Sequence, residues 1–485
     1  MAVRTETGGP GTTQTTGLDR YFQLGHRGST VGREVRGGLA TFFTMAYIIV
    51  LNPIILSLGK DKFGHTLDFA QLSAATALIA AIMTIIMGVG GNLPLAVAAG
   101  LGLDGVLAFQ IAPTMSWPDA MGLVVIEGLG ICLLVVTGLR QIIMDAIPLP
   151  LKQAISVGIG LFIAFIGLVD AGFLHTPEGA STPVGLGATG SGELIGWPVV
   201  VFVVGLLLTI ILLTRRVPGA ILISIIVATV LAVIIDAAAT IPAFPKPGNW
   251  GNQIPTWPGK VFSSPDLHLI GKFSIGGGFH HAGVITAIVF IFTLILSDFF
   301  DAMGTIVGIS SEAGLLDESG RVPNIGRVLF IDGAAAVAGG VGSVSSNTAF
   351  IESAAGVGEG ARTGLASVVT GLLFVIALFF TPLYSMVPSA AATPALVAVG
   401  FLLMTQVKNI PWDDWAIAIP AFLTMVLMPF TYSITNGIGA GFIAYVVLRT
   451  TQGRWREPHA LLWVVALLFT AYFLLHPIKE ALGVT

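Results

Sequence analysis

Apolar runs of membrane-spanning length follow one another along this chain, parted by short polar breaks. A transmembrane helix needs about 20 apolar residues. In the first half the runs are Gly38–Ser57, Ala70–Gly90, Pro94–Gln110, Ala120–Gly138, Leu151–Val169, Gly196–Thr214 and Gly219–Ile235. A polar, aromatic and Pro/Gly-rich loop, Ala237–His281, comes next. The second half continues with Gly283–Ser310, Val328–Val341, Asn347–Gly360, Thr363–Pro382, Ala391–Val407, Trp415–Tyr432 and Ile434–Leu448. The pattern predicts fourteen spans, seven on each side of the loop. Ala460–His476 is a further apolar run: a fifteenth span, a tilted continuation or a helix laid against the bundle.

Lysine and arginine near span ends set orientation. Arg27, Arg33 and Arg36 precede the first span, and Arg140 and Lys152 flank the loop after the fourth. Arg215 and Arg216 follow the sixth; Arg321 and Arg327 lie between the eighth and ninth. Arg362, Lys408, Arg449, Arg454 and Arg456 follow the tenth, twelfth and fourteenth. All fall on one side of a fourteen-span count. That side is expected to be the cytoplasm, with the N-terminus inside and the long loop outside. Because seven is odd, the second seven enters from the opposite side, which is an inverted-topology repeat. The third and tenth elements are both short and glycine-interrupted. Paired broken elements in two halves point to a transporter's binding site.

Composition agrees. Only 10% of the 485 residues are charged, against about 25% in soluble domains. The chain is expected to be an integral membrane protein. A net charge of -4 without a basic block gives no sign of nucleic acid. The single Cys132 excludes a disulfide framework within one chain. Residues 1–17 lack the apolar core of a signal peptide and read as a polar tail. Asp19–His26 suggests a short interfacial helix.

The chemistry gathers in three elements. SDFFDAMGTIVG (Ser297–Gly308) puts Asp298 and Asp301 on one helix face, three residues apart. An ionised carboxylate in hydrocarbon costs at least ~2.5 kcal/mol, so such residues face a bundle interior or a wet cavity. A structural pair locking helices together is the plainer alternative. AAGLGLDG (Ala98–Gly105) follows Pro94, and its glycines make regular helix expensive. A short extended piece followed by a half-helix is expected, with Asp104 in its first turns. Its freed amides need a ligand or a facing strand. The GxGxxG within it is rejected as a dinucleotide site, since no βαβ unit surrounds it. In Ser345–Gly360, the run Ser346, Asn347 and Thr348 resists helix, and Glu352 follows just inside a helix start. Simple capping explains Glu352 equally well.

These elements hold Asp104, Asp298, Asp301 and Glu352, with no Lys, Arg or His in the same segments. A carboxyl neutral in one state and ionised in another can couple proton movement to ligand binding. The spans lack the His and Cys clusters of a metal cage. Glu127, Asp170, Asp236 and Asp332 are weaker candidates, explained as well by helix–helix hydrogen bonds. His280 and His281 read as solvated, and Phe109 and Phe350 as packing.

At these motifs, together with EVRGGLATFFTMAYIIVLNP (Glu34–Pro53), the chain resembles the azaguanine-type adenine/guanine/hypoxanthine permeases. They form a branch of the nucleobase–cation symporter-2 (nucleobase/ascorbate transporter) superfamily. The resemblance runs from about Glu34 to Arg456 and implies an all-α polytopic fold of fourteen segments in two inverted sevens. Short strands in the third and tenth segments would meet at mid-membrane. The core domain would take residues 34–145 and 283–384. The gate domain would take 146–282 and 385–456, leaving 1–33 as tail and interfacial segment and 457–485 as C-terminal apolar segment. Carried over, Asp298, Asp301 and Glu352 match positions tied to substrate and proton handling. Backbone near Ala98, Ala99 and Gly100 and near Ser346, Asn347 and Thr348 would contact the ring. Members of this branch usually carry an amide where Asp104 stands.

The resemblance implies a proton-coupled purine importer in the cell membrane, working by alternating access, without a cofactor beyond the proton gradient. Its partners would be a purine nucleobase, the proton and the bilayer, with a homodimer allowed. An anion carrier of similar architecture is disfavoured by four acids, which repel an anion. An intramembrane aspartyl enzyme is disfavoured because Asp298 and Asp301 share a helix.

Overall fold

The computed structural model describes residues 17–139, 146–175, 184–187, 192–239, 241, 249–250, 253–317 and 321–481, with side chains to 474. The expected tail at 1–16 and Arg140 lie outside these residues. The short helix α1 (Gly17–Phe22) precedes α2 (Val31–Met45) and α3 (Ile48–Leu58), which together form the first span. Helix α4 (Phe69–Ile86) runs into a π turn at Met87–Gly91, where three glycines loosen the ladder. The third element is strand β1 (Val97–Ala99), a short helix α5 (Leu101–Val106) and a π turn. Helix α6 (Trp117–Val136) and α7 (Leu149–Asp170) follow, then the two-residue strands β2 (Leu174–His175) and β3 (Gly185–Leu186), which pair antiparallel. Helices α8 (Trp197–Thr214) and α9 (Ala220–Ala239) end the first half.

The second half starts with α10 (Gly277–His281) and the 29-residue α11 (Val284–Glu312). Next come α12 (Ile325–Val341), strand β4 (Asn347–Ala349) and α13 (Ser353–Gly358). Helices α14 (Gly364–Ala377) and α15 (Thr381–Tyr384) form one span, and α16 (Ser389–Ala392) and α17 (Pro394–Met404) another. Helices α18 (Trp415–Phe430), α19 (Ile434–Thr451) and α20 (Ala460–Ala481) close the chain. Among the described residues, nine helical stretches are long and apolar enough to cross a membrane. The apolar run at 460–476 is helix α20. Its Phe469 meets Phe292 of α11 and Phe442 of α19 edge-on, so it lies against the bundle.

The bundle has two distinguishable ends. At one, Arg27 donates to the carbonyl oxygens of Asn92 and Arg362, and Glu34 accepts from the backbone N–H of Arg362, Thr363 and Ala366. At the other, loop residues 263–274 cover the ends of several spans. Ser263 N–H donates to Phe379 O, Gly271 N–H to Val341 O, and Ser274 N–H to Pro118 O.

The two broken elements meet inside. Strand β1 pairs antiparallel with β4, Ala98 opposite Thr348, and the ladder continues through Gly100 N–H to Ser346 O and Phe350 N–H to Ala96 O. A two-stranded ribbon leaves both outer edges unpaired, and hydrocarbon supplies no partners for them. Hydroxyls from neighbouring helices fill the need. Ser367 accepts from Leu95 N–H and donates to Leu93 O; Ser353 accepts from Ala96 N–H. Thr84 both accepts from Val97 N–H (3.0 Å) and donates to Val97 O (2.9 Å). Gly339 admits the chain before β4: a Cβ there would sit 1.9 Å from Ser345 O.

Thr84→Val keeps the shape and strips both partners from Val97. Each orphaned buried group costs about 1–3 kcal/mol. The variant is expected to unfold at lower temperature in detergent, and Thr84→Ser to match the parent.

Candidate functional site

A cavity opens beside the ribbon, with about 90 Å³ of room for the centres of water-sized molecules. One wall comes from the broken elements: Gly100–Leu103 after β1, and Thr348–Glu352 at the end of β4. A second comes from α11, through Ser297, Phe300, Asp301 and Thr305. The third is apolar and comes from α7 (Ile155, Ile159, Ile163) and α17 (Val399, Leu403), with Ser156 the one hydroxyl there. Tyr47, in the break between α2 and α3, completes the lining.

Two of the sequence-predicted acids meet here. Asp301 and Glu352 both line the cavity, lie within electrostatic range of each other, and come from different elements. The Tyr47 hydroxyl donates to Glu352 Oε1, and the Thr44 hydroxyl donates to Glu352 O at 3.2 Å. Glu352 is the residue before the first turn of α13, one place earlier than the sequence suggested. No Lys, Arg or His lines the cavity. Among the described residues none forms an ion pair with Asp298, Asp301 or Glu352.

The other two acids stand behind the wall. Asp298 is fully buried beside the Thr348 hydroxyl, and Asp104 is fully buried beside Ser345. Apart from those two neighbouring hydroxyls neither carboxylate has a hydrogen-bond partner, and the Ser297 hydroxyl and the Asn347 side-chain amide have none. Buried polar groups are normally satisfied, so this concentration beside one cavity marks a place built for a polar guest or for protons. Of the predicted backbone contacts, Gly100 and Thr348 reach the cavity. Ala98, Ala99, Ser346 and Asn347 lie in the ribbon or beside it.

Several weaker readings gain detail. For Glu127 and Asp332 the sequence leaves a functional role and a helix–helix hydrogen bond equally open. Each bonds the β4 segment: the Ser346 hydroxyl donates to Glu127 Oε1 at 2.9 Å, and Ala349 N–H to Asp332 Oδ1 at 3.1 Å. Asp236 accepts from the Trp250 indole at 2.7 Å. His280 and His281 are exposed, as their solvated reading requires, and His281 Nδ1 also lies 2.8 Å from Asp119 Oδ2. Phe109 packs edge-on against Tyr432, whereas Phe350 lines the cavity. Sequence reasoning missed Tyr47, although it sits in the Glu34–Pro53 stretch. A phenol in an apolar run needs a polar partner, and that was the available signal.

A two-stranded ribbon buried within an apolar helical bundle, beside an acid-lined cavity, defines a membrane transport fold. The chain belongs to the permease family whose model, Xan_ur_permease, matches residues 32–440. It is 37% identical over 462 residues to the guanine/hypoxanthine permease PbuG of Bacillus subtilis, covering 94% of this chain and 99% of that one. It is also 37% identical over 464 residues to the adenine permease AdeP of Escherichia coli, covering 94% and 97%. These similarities bear out the likeness to purine permeases. Among solved structures it superposes on the transmembrane domain of a cyanobacterium bicarbonate transporter, BicA, with TM-score 0.59 at 14% identity. The match covers 84% of this chain and 97% of that one. The murine anion transporter Slc26a9 gives TM-score 0.56 at 13% identity, covering 87% and 68%. Those two likenesses speak for the fold alone.

Proposed function

We propose that this protein is a proton-coupled purine nucleobase permease that imports guanine, hypoxanthine or adenine by alternating access. The observation that carries the reading is the meeting of Asp301 and Glu352 in a cavity with no Lys, Arg or His among its described lining residues, the Lys152 ammonium lying behind the Phe300 ring. Carboxylates accept hydrogen bonds and carboxylic acids can also donate, which suits the N–H and ring-nitrogen edges of a purine. Two acids so close repel when both are charged. A proton on either relieves that repulsion, so loading with a neutral base and a proton favours each other. The relatives' names, guanine/hypoxanthine permease and adenine permease, support the substrate class.

The membrane arrangement follows from the same reading. Fourteen crossings in two inverted sevens account for the short loops and for the grouping of chain ends at the two faces. The antiparallel pairing of β1 with β4 suits two repeats of opposite sense. The core domain takes residues 34–145 and 283–384, and the gate domain 146–282 and 385–456. The cavity then lies along their seam, with α7 and α17 as the gate wall. Gly160 and Gly400 bring those two helices to backbone contact: a Cβ on Gly400 would lie 2.4 Å from Gly160 O. The arginine-bearing end is placed in the cytoplasm, with the N-terminus, and the membrane is the cell membrane.

An anion carrier is the competing reading, because both superposed structures are of anion-carrying proteins by name. The acid-lined cavity opposes it. Titration of purified protein with guanine, hypoxanthine, adenine, uracil and sulfate separates the two. Purine binding with no response to sulfate is expected, and the reverse overturns the proposal.

In proteoliposomes, uptake of the preferred purine is expected to rise with an inward proton gradient and to collapse with an uncoupler. Asp301→Asn and Glu352→Gln are each expected to lower gradient-driven uptake about a hundredfold, near the upper end of ordinary site–site coupling. Tyr47→Phe removes one hydrogen bond to Glu352. A bond to a charged group is worth about 1.5–3 kcal/mol, so KM is expected to rise about tenfold or more with less change in maximal rate.

A further inference from the structure

Glu127 on α6 and Asp332 on α12 lie outside the cavity and outside the scheme above, yet they touch its most critical strand. Both are buried, with 0% and 1% exposure. Each spends one oxygen on the β4 segment, Glu127 on the Ser346 hydroxyl and Asp332 on the Ala349 N–H. Each leaves its second oxygen without a partner. A purely structural anchor has no use for a carboxyl here. Gln or Asn would accept the same hydrogen bond with no charge to bury.

The surroundings give the acids a purpose. Glu127 lies within electrostatic range of Asp298, and Asp332 within range of Asp298, Asp301 and Glu127. The remaining titratable neighbour is Cys132, facing Asp332. Among the described residues no lysine, arginine or histidine pairs with either carboxyl. The two acids therefore touch β4 on one side and sense the charge of α11 on the other.

We propose that Glu127 and Asp332 are positioning residues that transmit the protonation of the α11 acids to β4. A proton gained by Asp298 or Asp301 changes the field at both anchors. Their hydrogen bonds in turn set where Ser346–Ala349 sit, and with them Thr348 and Glu352 at the cavity wall. The inference rests on the proton-coupled reading above and adds the route by which a proton on α11 is felt at the strand.

The test uses the full chain in proteoliposomes with Glu127→Gln and Asp332→Asn, and with Glu127→Asp and Asp332→Glu as controls that keep the carboxyl. Purine counterflow without a gradient is compared with accumulation driven by an imposed proton gradient. The amide variants are expected to lower the ratio of accumulation to counterflow at least about fivefold, the lower end of coupling between sites. The carboxyl-keeping variants are expected to recover part of it. A ratio equal to the parent's in both amide variants overturns the proposal, as does an equal loss in all four variants. If neither amide variant folds, Ser346→Ala, which removes the hydroxyl that Glu127 holds, takes their place: a lowered ratio supports the proposal and one equal to the parent's overturns it. Infrared difference spectra between acid and neutral pH give a readout free of transport. Loss of a carboxylic C=O band in a folded amide variant supports the proposal, and identical spectra overturn it. A parent protein that counterflows no purine sinks the functional reading alone, and the infrared comparison still decides this one.

Discussion

The pairing of β1 with β4 is the constraint on which the rest of this molecule depends. Two strands of three residues, drawn from opposite halves of the chain, replace helix in the middle of an apolar bundle. Hydrocarbon cannot satisfy the backbone groups that such a break releases. The strands satisfy each other along their shared edge. Ser367, Ser353 and Thr84 then satisfy the approach to β1, and Asp332 takes Ala349 N–H on β4. Each of these side chains comes from a different helix. The ribbon therefore fixes the mutual positions of α4, α12, α13 and α14 as strongly as it is fixed by them.

That constraint also explains why the acids divide into two groups. Asp301 and Glu352 sit where the ribbon ends and a cavity begins, and they have room for a guest. Asp298, Glu127 and Asp332 sit where ribbon and helices close together, with no room and few partners. Burying that many carboxyls in one place without a cation costs several kcal/mol per charge. Protein stability alone does not account for such a group. A system that passes through different protonation states does, because its acids need not be ionised together.

Much of this was legible in the chain. Spans and their breaks follow from apolar run length, and the strand in each broken element follows from Pro94, the clustered glycines and the helix-resisting Ser346–Thr348. Asp301 and Glu352 stood out because an acid in hydrocarbon needs a reason. What escaped was direction. Asp298 and Asp301 are three residues apart and share a helix face, yet only Asp301 lines the cavity. Spacing cannot tell which edge of a face looks into a hollow and which into a wall. Glu127 and Asp332 were visible as buried acids, but their link to β4 depends on long-range packing across more than two hundred residues for Glu127. The hydroxyls that stitch the ribbon carry no signature at all, since Ser and Thr are ordinary in membrane helices.

Asp104 shows how the same logic reaches a single substitution. The resemblance to the purine permeases implies an amide at this position, where this chain carries an acid. Here the carboxyl is fully buried beside the Ser345 hydroxyl, and Ser345 itself holds a left-handed backbone, φ 75°. Apart from each other, neither side chain has a hydrogen-bond partner. An amide donates and accepts at once; a carboxyl does so only while it carries its proton. The position therefore keeps an amide's polarity in one protonation state and loses it in the other. Asp104 follows the ribbon directly, four residues beyond the last ladder bond at Gly100. A change of charge there acts on the same backbone that presents Gly100 to the cavity. Asp104 thus places a titratable group at the root of the cavity wall, where an amide would place a fixed dipole.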